Sequence, residues 1–217
     1  MKPQALQLFS RFFKDGQINW LESGNDQHKF QRVEVIEAGD LEQKDSDLNF
    51  LNGKVIGHKY ADLTHARLRQ FGGSSGHWGG NCNPMNAENF NDWPISKKEI
   101  DKYSEKARKI LNLNLKEKFY NERLNDHLNT YNINWSNVKF GEKYLEHIKK
   151  SKYIYLSLKT NLRNFEGNSK SINSINCNNF KNKIKLKAKY YILSCGGIEN
   201  SRILLWSKEL DKGLFTN

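Results

Sequence analysis

Apolar and polar positions along the chain fall into recognisable periods. Residues 4–13, QALQLFSRFF, set Ala5, Leu6, Leu8, Phe9, Phe12 and Phe13 on one broad face, and Gly16 follows as a stop, which predicts a helix. In VEVIEAGD, Val33, Val35 and Ile36 make a short buried strand ending in Glu37-Ala38-Gly39-Asp40. Residues 41–53 read as a surface loop, and KVIGHKYADL (54–63) as an extended piece. Ser96 followed by Glu99 is a capping box, and Ile100, Tyr103, Ala107, Ile110 and Leu111 recur at helical spacing. A helix is therefore predicted over about 97–111. A shorter one is expected around Tyr144, Leu145 and Ile148, while residues 112–140 show no clear period.

From residue 152 the period changes. YIYLSLK, NLRNFE, SINSINC and KIKLKAK are short, partly alternating runs separated by Asn, Gly and Ser, the pattern of a β-meander. YYILSCGG reads as an apolar strand stopping at two glycines. ENSRILLWS then opens a helix with Ile203, Leu204 and Leu205 facing inward. Helix, strand, meander, strand, glycine turn and helix form an α/β order.

Composition narrows this picture only a little. The chain has 217 residues with 37% hydrophobic content, and twelve Phe, nine Tyr and five Trp supply burial. A formal charge of +11 invites a nucleic-acid reading. Composition alone favours drift toward Asn, Lys and Ile over a polyanion-binding face, so no nucleic-acid partner is expected at this level. Cys82, Cys177 and Cys195 are widely spaced and form no CxxC pair. That argues against a zinc site or a disulfide framework and suits a reducing cytoplasm. No window approaches the ~20 apolar residues of a membrane span, so no membrane partner is expected.

Candidate chemistry concentrates in three places. Glu37 stands at the carboxyl end of a strand, where an acid can reach both hydroxyls of a ribose. QFGGSSGHWGGNC, residues 70–82, packs five glycines into nine positions. Glycines let backbone N–H groups approach a phosphate, and Arg67 and Arg69 stand just upstream to orient an anion. A flexible linker has no need of His77 and Trp78, so the stretch reads as a cradle. Gly196 and Gly197, after the last strand, would let the chain pass close beside a ligand.

In this order VEVIEAGD, RLRQFGGSSGHWGGNCNPM, DWPISKKEIDKYSEKARKILNL and YYILSCGGIENSRILLWS resemble the glucose-methanol-choline family of FAD-dependent oxidoreductases. The likeness is to the branch with pyranose oxidases and sugar-acid dehydrogenases. It covers residues 31–111 and 183–207. It implies a partial Rossmann-like FAD-binding domain with a β-meander, built from residues 1–91 and 151–217. Residues 92–150 would be a helical insertion belonging to a substrate or cap domain.

The resemblance also implies a site. Glu37 would hold the adenosine ribose, and Gly72, Gly73, Ser74 and Ser75 would line the pyrophosphate and flavin. Gly79, Gly80 and Asn81 would run beneath the isoalloxazine ring, with His77 and Trp78 beside it. Cys195 and Gly196 would close the other side, and Leu162 would touch adenine through its backbone. Some relatives with His-Trp at this place bind the flavin covalently through the histidine, so His77 is either such a link or a packing residue on the ring edge. The implied reaction is hydride transfer to FAD from a CH–OH group of a sugar, polyol or related alcohol.

Two parts of the family pattern are not found. Before Gly39 the only glycines are Gly16 and Gly24, so there is no G-x-G-x-x-G turn. His28, His58, His65, His127 and His147 match no catalytic histidine motif, so no catalytic base is assigned, and no metal is expected. The chain is thus expected to be an internal piece of such an enzyme, dependent on a complementing fragment. The competing readings are a basic nucleic-acid-binding module and a fragment of another flavoprotein, of squalene- or amine-oxidoreductase type.

Overall fold

The computed structural model describes residues 32–65, 67–115 and 121–215. The helix predicted over residues 4–13 lies outside them. The chain is mixed helix and strand with four small sheets among the described residues, and it divides into two compact units. Residues 33–73 and 147–215 form one; Arg32 and residues 74–146 belong to the other. The boundaries drawn from sequence were at 91/92 and 150/151. The division between the compact units falls inside the glycine-rich stretch and at residues 146/147.

In the first unit β1 (Val33–Ile36) pairs in parallel with β6 (Ile154–Ser157), Val33 opposite Ile154. The antiparallel meander follows as β7 (Thr160–Gly167), β8 (Ile172–Asn179) and β9 (Asn182–Leu186). Three of the four predicted meander runs therefore lie in it. The first, YIYLSLK, pairs with β1 instead, as its turn into β7 passes under Glu37: Thr160 N–H donates to the Glu37 carbonyl at 2.9 Å. Residues 41–53 hold a short helix, α1 (Asp45–Leu48), and a 3-10 turn that buries Leu51.

One face of the meander is the core. Phe165, Ile175 and Cys177 pack with Ile203 and Leu214, flanked by Leu162, Ile184, Leu186, Tyr191 and Leu193. Ile203 comes from the 14-residue helix Gly197–Leu210. That helix forms as predicted, but its inward face differs. Ile203 and Ser207, four apart, are buried, whereas Leu204 and Leu205 are exposed, Leu205 by 69%. Residues at i and i+4 share a face; consecutive residues do not.

Two predicted extended segments are not strands. KVIGHKYADL is irregular, with Val55, Ile56 and Tyr60 exposed. YYILSCGG is also irregular. Among the described residues no strand runs beside it to take its ladder bonds. Side chains hold it instead: the Tyr191 hydroxyl bonds Ala188 N–H and the Asn173 carbonyl, and Asn200 Oδ1 accepts from Cys195 N–H at 2.8 Å.

In the second unit β2 (Asn81–Cys82) pairs with β5 (Asn134–Trp135), and β3 (Asn121–Arg123) with β4 (Asn129–Tyr131). The helix predicted over 97–111 is two helices, α2 (Lys97–Asp101) and α3 (Ser104–Ile110). The capping box forms as expected, Ser96 Oγ accepting from Glu99 N–H. The break comes where Tyr103 N–H bonds Ile100, three residues back, tightening the turn out of the α ladder. The predicted helix around Tyr144 is α4 (Phe140–Lys150), which makes the Gly197–Leu210 helix α5.

Candidate functional site

The carboxyl end of β1 gathers Glu37, Asp40, Lys44, Arg69 and Lys159. Glu37 follows the last strand residue, and its Oε1 accepts from Gly39 N–H at 2.7 Å. Burial pushes its carboxyl above the usual range; the Gly39 bond and the Arg69 charge oppose that. Gly39 is required by contact: a Cβ there would stand 1.9 Å from the Arg69 carbonyl oxygen. The close approach is also marked by a parallel bridge between Asp40 and Gln70. Asp40 is held by Lys159 at 2.8 Å and Lys44 at 3.2 Å, which drive its carboxyl far below the usual range.

The two arginines sit differently from the expectation that they face an anion. Arg69 is buried, bonds the Ala38 carbonyl through Nε and Nη2, reaches Asn161 Oδ1 at 2.5 Å, and lies over the Phe50 ring. Arg67 bonds the Leu51 carbonyl at 2.7 Å and pairs with Glu199 at 3.0 Å. Both guanidiniums are thus engaged in joining loop 50–70 to the strands and to α5. Arg202 also pairs with Glu199, at 2.8 Å.

Cys195 and Gly196 lead into α5. Burial raises the Cys195 thiol, and the charges of Glu37 and Glu199 raise it further. Gly196 has φ +84, and a Cβ on it would meet nothing within 4 Å. Leu162 lies on β7 opposite Cys177, with its side chain against the core. Gly72 and Gly73 both take positive φ, 91 and 55.

The remaining candidates belong to the second unit, and there the glycine-rich stretch is firmly docked. Ser75 Oγ accepts from Phe140 N–H at 2.9 Å, and the Trp78 indole donates to the Val138 carbonyl at 2.8 Å. Ser136 N–H donates to the Gly80 carbonyl at 2.7 Å. Gly80 has φ +77, and a Cβ would approach the Ser136 oxygen to 2.0 Å. Such fixation is incompatible with a slack linker. Ser74, His77, Gly79 and Asn81 are exposed.

The division of the candidates is therefore clear. Glu37, Gly72, Gly73, Leu162, Cys195 and Gly196 belong to one unit, and Ser74, Ser75, His77, Trp78, Gly79, Gly80 and Asn81 to the other. Sequence reasoning missed Asn161, which acts on Arg69 92 positions away, and assigned no role to Glu199, whose partners are Arg67 and Arg202, or to Asn200, which holds Cys195 N–H. Among the described residues no group of three or more His, Cys, Asp or Glu could hold a metal, and no helix is long and apolar enough to cross a membrane. Comparison with protein-family models and with curated proteins finds no match.

Proposed function

We propose that the chain forms part of an FAD-dependent oxidoreductase acting on CH–OH groups of a sugar, polyol or related alcohol. The observation that carries this reading is Glu37 at the carboxyl end of β1, a strand paired in parallel with β6, with its carboxylate turned by Gly39 N–H. Ligands of α/β sheets bind outside the carboxyl ends of parallel strands, beside helix N-termini.

The residues present fit the ribose end of such a cofactor. One Glu37 oxygen is used by Gly39 N–H, which orients the carboxylate and leaves lone pairs for hydroxyls. The open space at Gly196 admits a ligand where a side chain would stand. Gly72, Gly73, Ser74 and Ser75 would serve the pyrophosphate and flavin. Gly79, Gly80 and Asn81 would serve the ring, Leu162 the adenine, and His77 with Trp78 the ring edge. Bound flavin supplies the hydride acceptor; the chain's residues bind and orient.

The test is FAD titration of the purified chain, followed by quenching of flavin fluorescence, with ADP-ribose as competitor. Micromolar binding that Glu37→Ala weakens at least about tenfold supports the reading. Uptake indifferent to Glu37, or none at about 1 mM even with a complementing fragment that carries a G-x-G-x-x-G turn, would sink it. Acid precipitation decides His77: flavin retained in the wild type and released in His77→Ala indicates a covalent link.

A further inference from the structure

The lysines that composition alone attributes to drift are segregated in the fold. Residues 151–190 hold eight lysines and Arg163 against the single carboxylate of Glu166, so they carry +8 of the chain's formal +11. On β9 the residues alternate between two environments. Ile184 and Leu186 lie opposite Cys177 and Ile175 and pack on the core. Lys183 and Lys185 lie opposite Asn178 and Asn176 and so project from the other face of the sheet. Lys181, in the turn before β9, and Lys187, just after it, continue the same spacing. At about 3.4 Å per residue, Lys183 to Lys187 spans roughly 14 Å, with Lys181 in the turn at one end.

Most of this charge is not used internally. Lys185 pairs with Glu166, whose carboxyl that lysine, Asn176 and Ser174 hold down at about 2. Lys159 pairs with Asp40. Among the described residues Lys181, Lys183 and Lys187 have no carboxylate partner, and all three are exposed. Holding like charges in one row costs Coulomb energy that an anionic partner would relieve.

Two further features specify the partner. Phe180, in the β8–β9 turn, is 73% exposed, and Tyr190, beyond the lysine row, is 53% exposed with Lys189 above its ring. Between them the same sheet face exposes the amide of Asn178, which can donate to and accept from base edges, while those of Asn164 and Asn176 bond each other, the Phe165 carbonyl and Glu166. A row of cations bracketed by exposed rings on an antiparallel sheet suits unstacked bases. An anionic lipid surface would make no use of the Asn178 amide, and a duplex keeps its bases stacked away from the rings.

We propose that the outer face of the β7–β8–β9 sheet binds single-stranded nucleic acid, with Lys181, Lys183 and Lys187 on phosphates and Phe180 and Tyr190 stacked on bases. This departs from the expectation drawn from composition. It is independent of the flavin reading, because α5 and the core occupy the opposite face of the sheet.

The full chain is titrated against a fluorescein-labelled oligo(U) of about twenty nucleotides, followed by anisotropy. Three phosphate contacts give a log–log salt slope of about −2, so affinity falls roughly sixteen-fold between about 50 and 200 mM salt. The Lys181→Gln/Lys183→Gln/Lys187→Gln variant should bring the slope close to zero. Phe180→Ala should keep the wild-type slope while weakening binding about fivefold or more. Circular dichroism checks that both variants remain folded; the changed side chains are exposed. The absence of binding at about 50 mM salt would overturn the proposal. So would a wild-type slope retained by the triple variant, or duplex RNA binding equally well with Phe180→Ala neutral.

Discussion

Ser207→Ala tests how α5 is fixed to the meander. The Ser207 hydroxyl is fully buried, accepts from Phe165 N–H on β7 at 2.9 Å, and donates to the Ile203 carbonyl at 2.7 Å. Alanine occupies the same space without the oxygen, so packing is unchanged. The Ile203 carbonyl still takes the helix's own N–H. Phe165 N–H, in contrast, is left buried without an acceptor, which costs about 1–3 kcal/mol. Taking about 2 kcal/mol, and a urea m-value of about 2 kcal/mol/M, the unfolding midpoint should fall by about 1 M. Exchange of the Phe165 amide should accelerate roughly thirtyfold by the same energy. Ser201→Ala is the control: its hydroxyl bonds Gly197 from an exposed position, and its loss should cost less than about 0.5 kcal/mol. If the two variants unfold together and the Phe165 amide keeps its protection, this hydroxyl does not join helix to sheet. The positioning of Cys195 and Gly196 would then need another explanation.

Gly80→Ala should destabilise the β2–β5 pairing by about 3 kcal/mol or more, combining left-handed strain, the approach to Ser136 and the weakened Ser136–Gly80 bond. Gly79→Ala, whose Cβ meets nothing within 4 Å, should be far milder in the same thermal melt. A maleimide pulse read by mass spectrometry should label Cys195 in the native chain and spare Cys82 and Cys177. Access decides this, since all three thiols are raised: Cys195 is exposed, whereas Cys82 and Cys177 are buried. For Glu37 the folded carboxyl titrates above its ordinary 4.5, so the folded state binds the proton more tightly than the unfolded state. The wild type should therefore lose stability relative to Glu37→Gln as pH rises through the window just above 4.5; an unchanged difference across that window contradicts the burial. Flavin affinity should move the opposite way there, growing as Glu37 ionises.

Features that depend on near neighbours were legible in the chain. The strand Val33–Ile36, the Ser96–Glu99 cap, α4, α5 and three strands of the meander follow from period and capping chemistry within a dozen residues. Glu37 was legible as the acid ending a strand, although that strand is half-buried and not buried as its composition suggests, and the glycine-rich stretch as something other than a tether.

What tertiary structure decided is pairing and partnership. YYILSCGG has strand composition, yet a strand exists only where another offers its ladder, and among the described residues none lies beside it. Arg67 and Arg69 look like anion ligands in sequence. Their guanidiniums are taken by Glu199 and Leu51, and by Ala38 and Asn161, partners 16 to 132 positions away. The lysines of KNKIKLKAK alternate visibly in the chain. Only the register of β9 against β8, with Ile184 and Leu186 drawn into the core by burial, turns that alternation into one charged face.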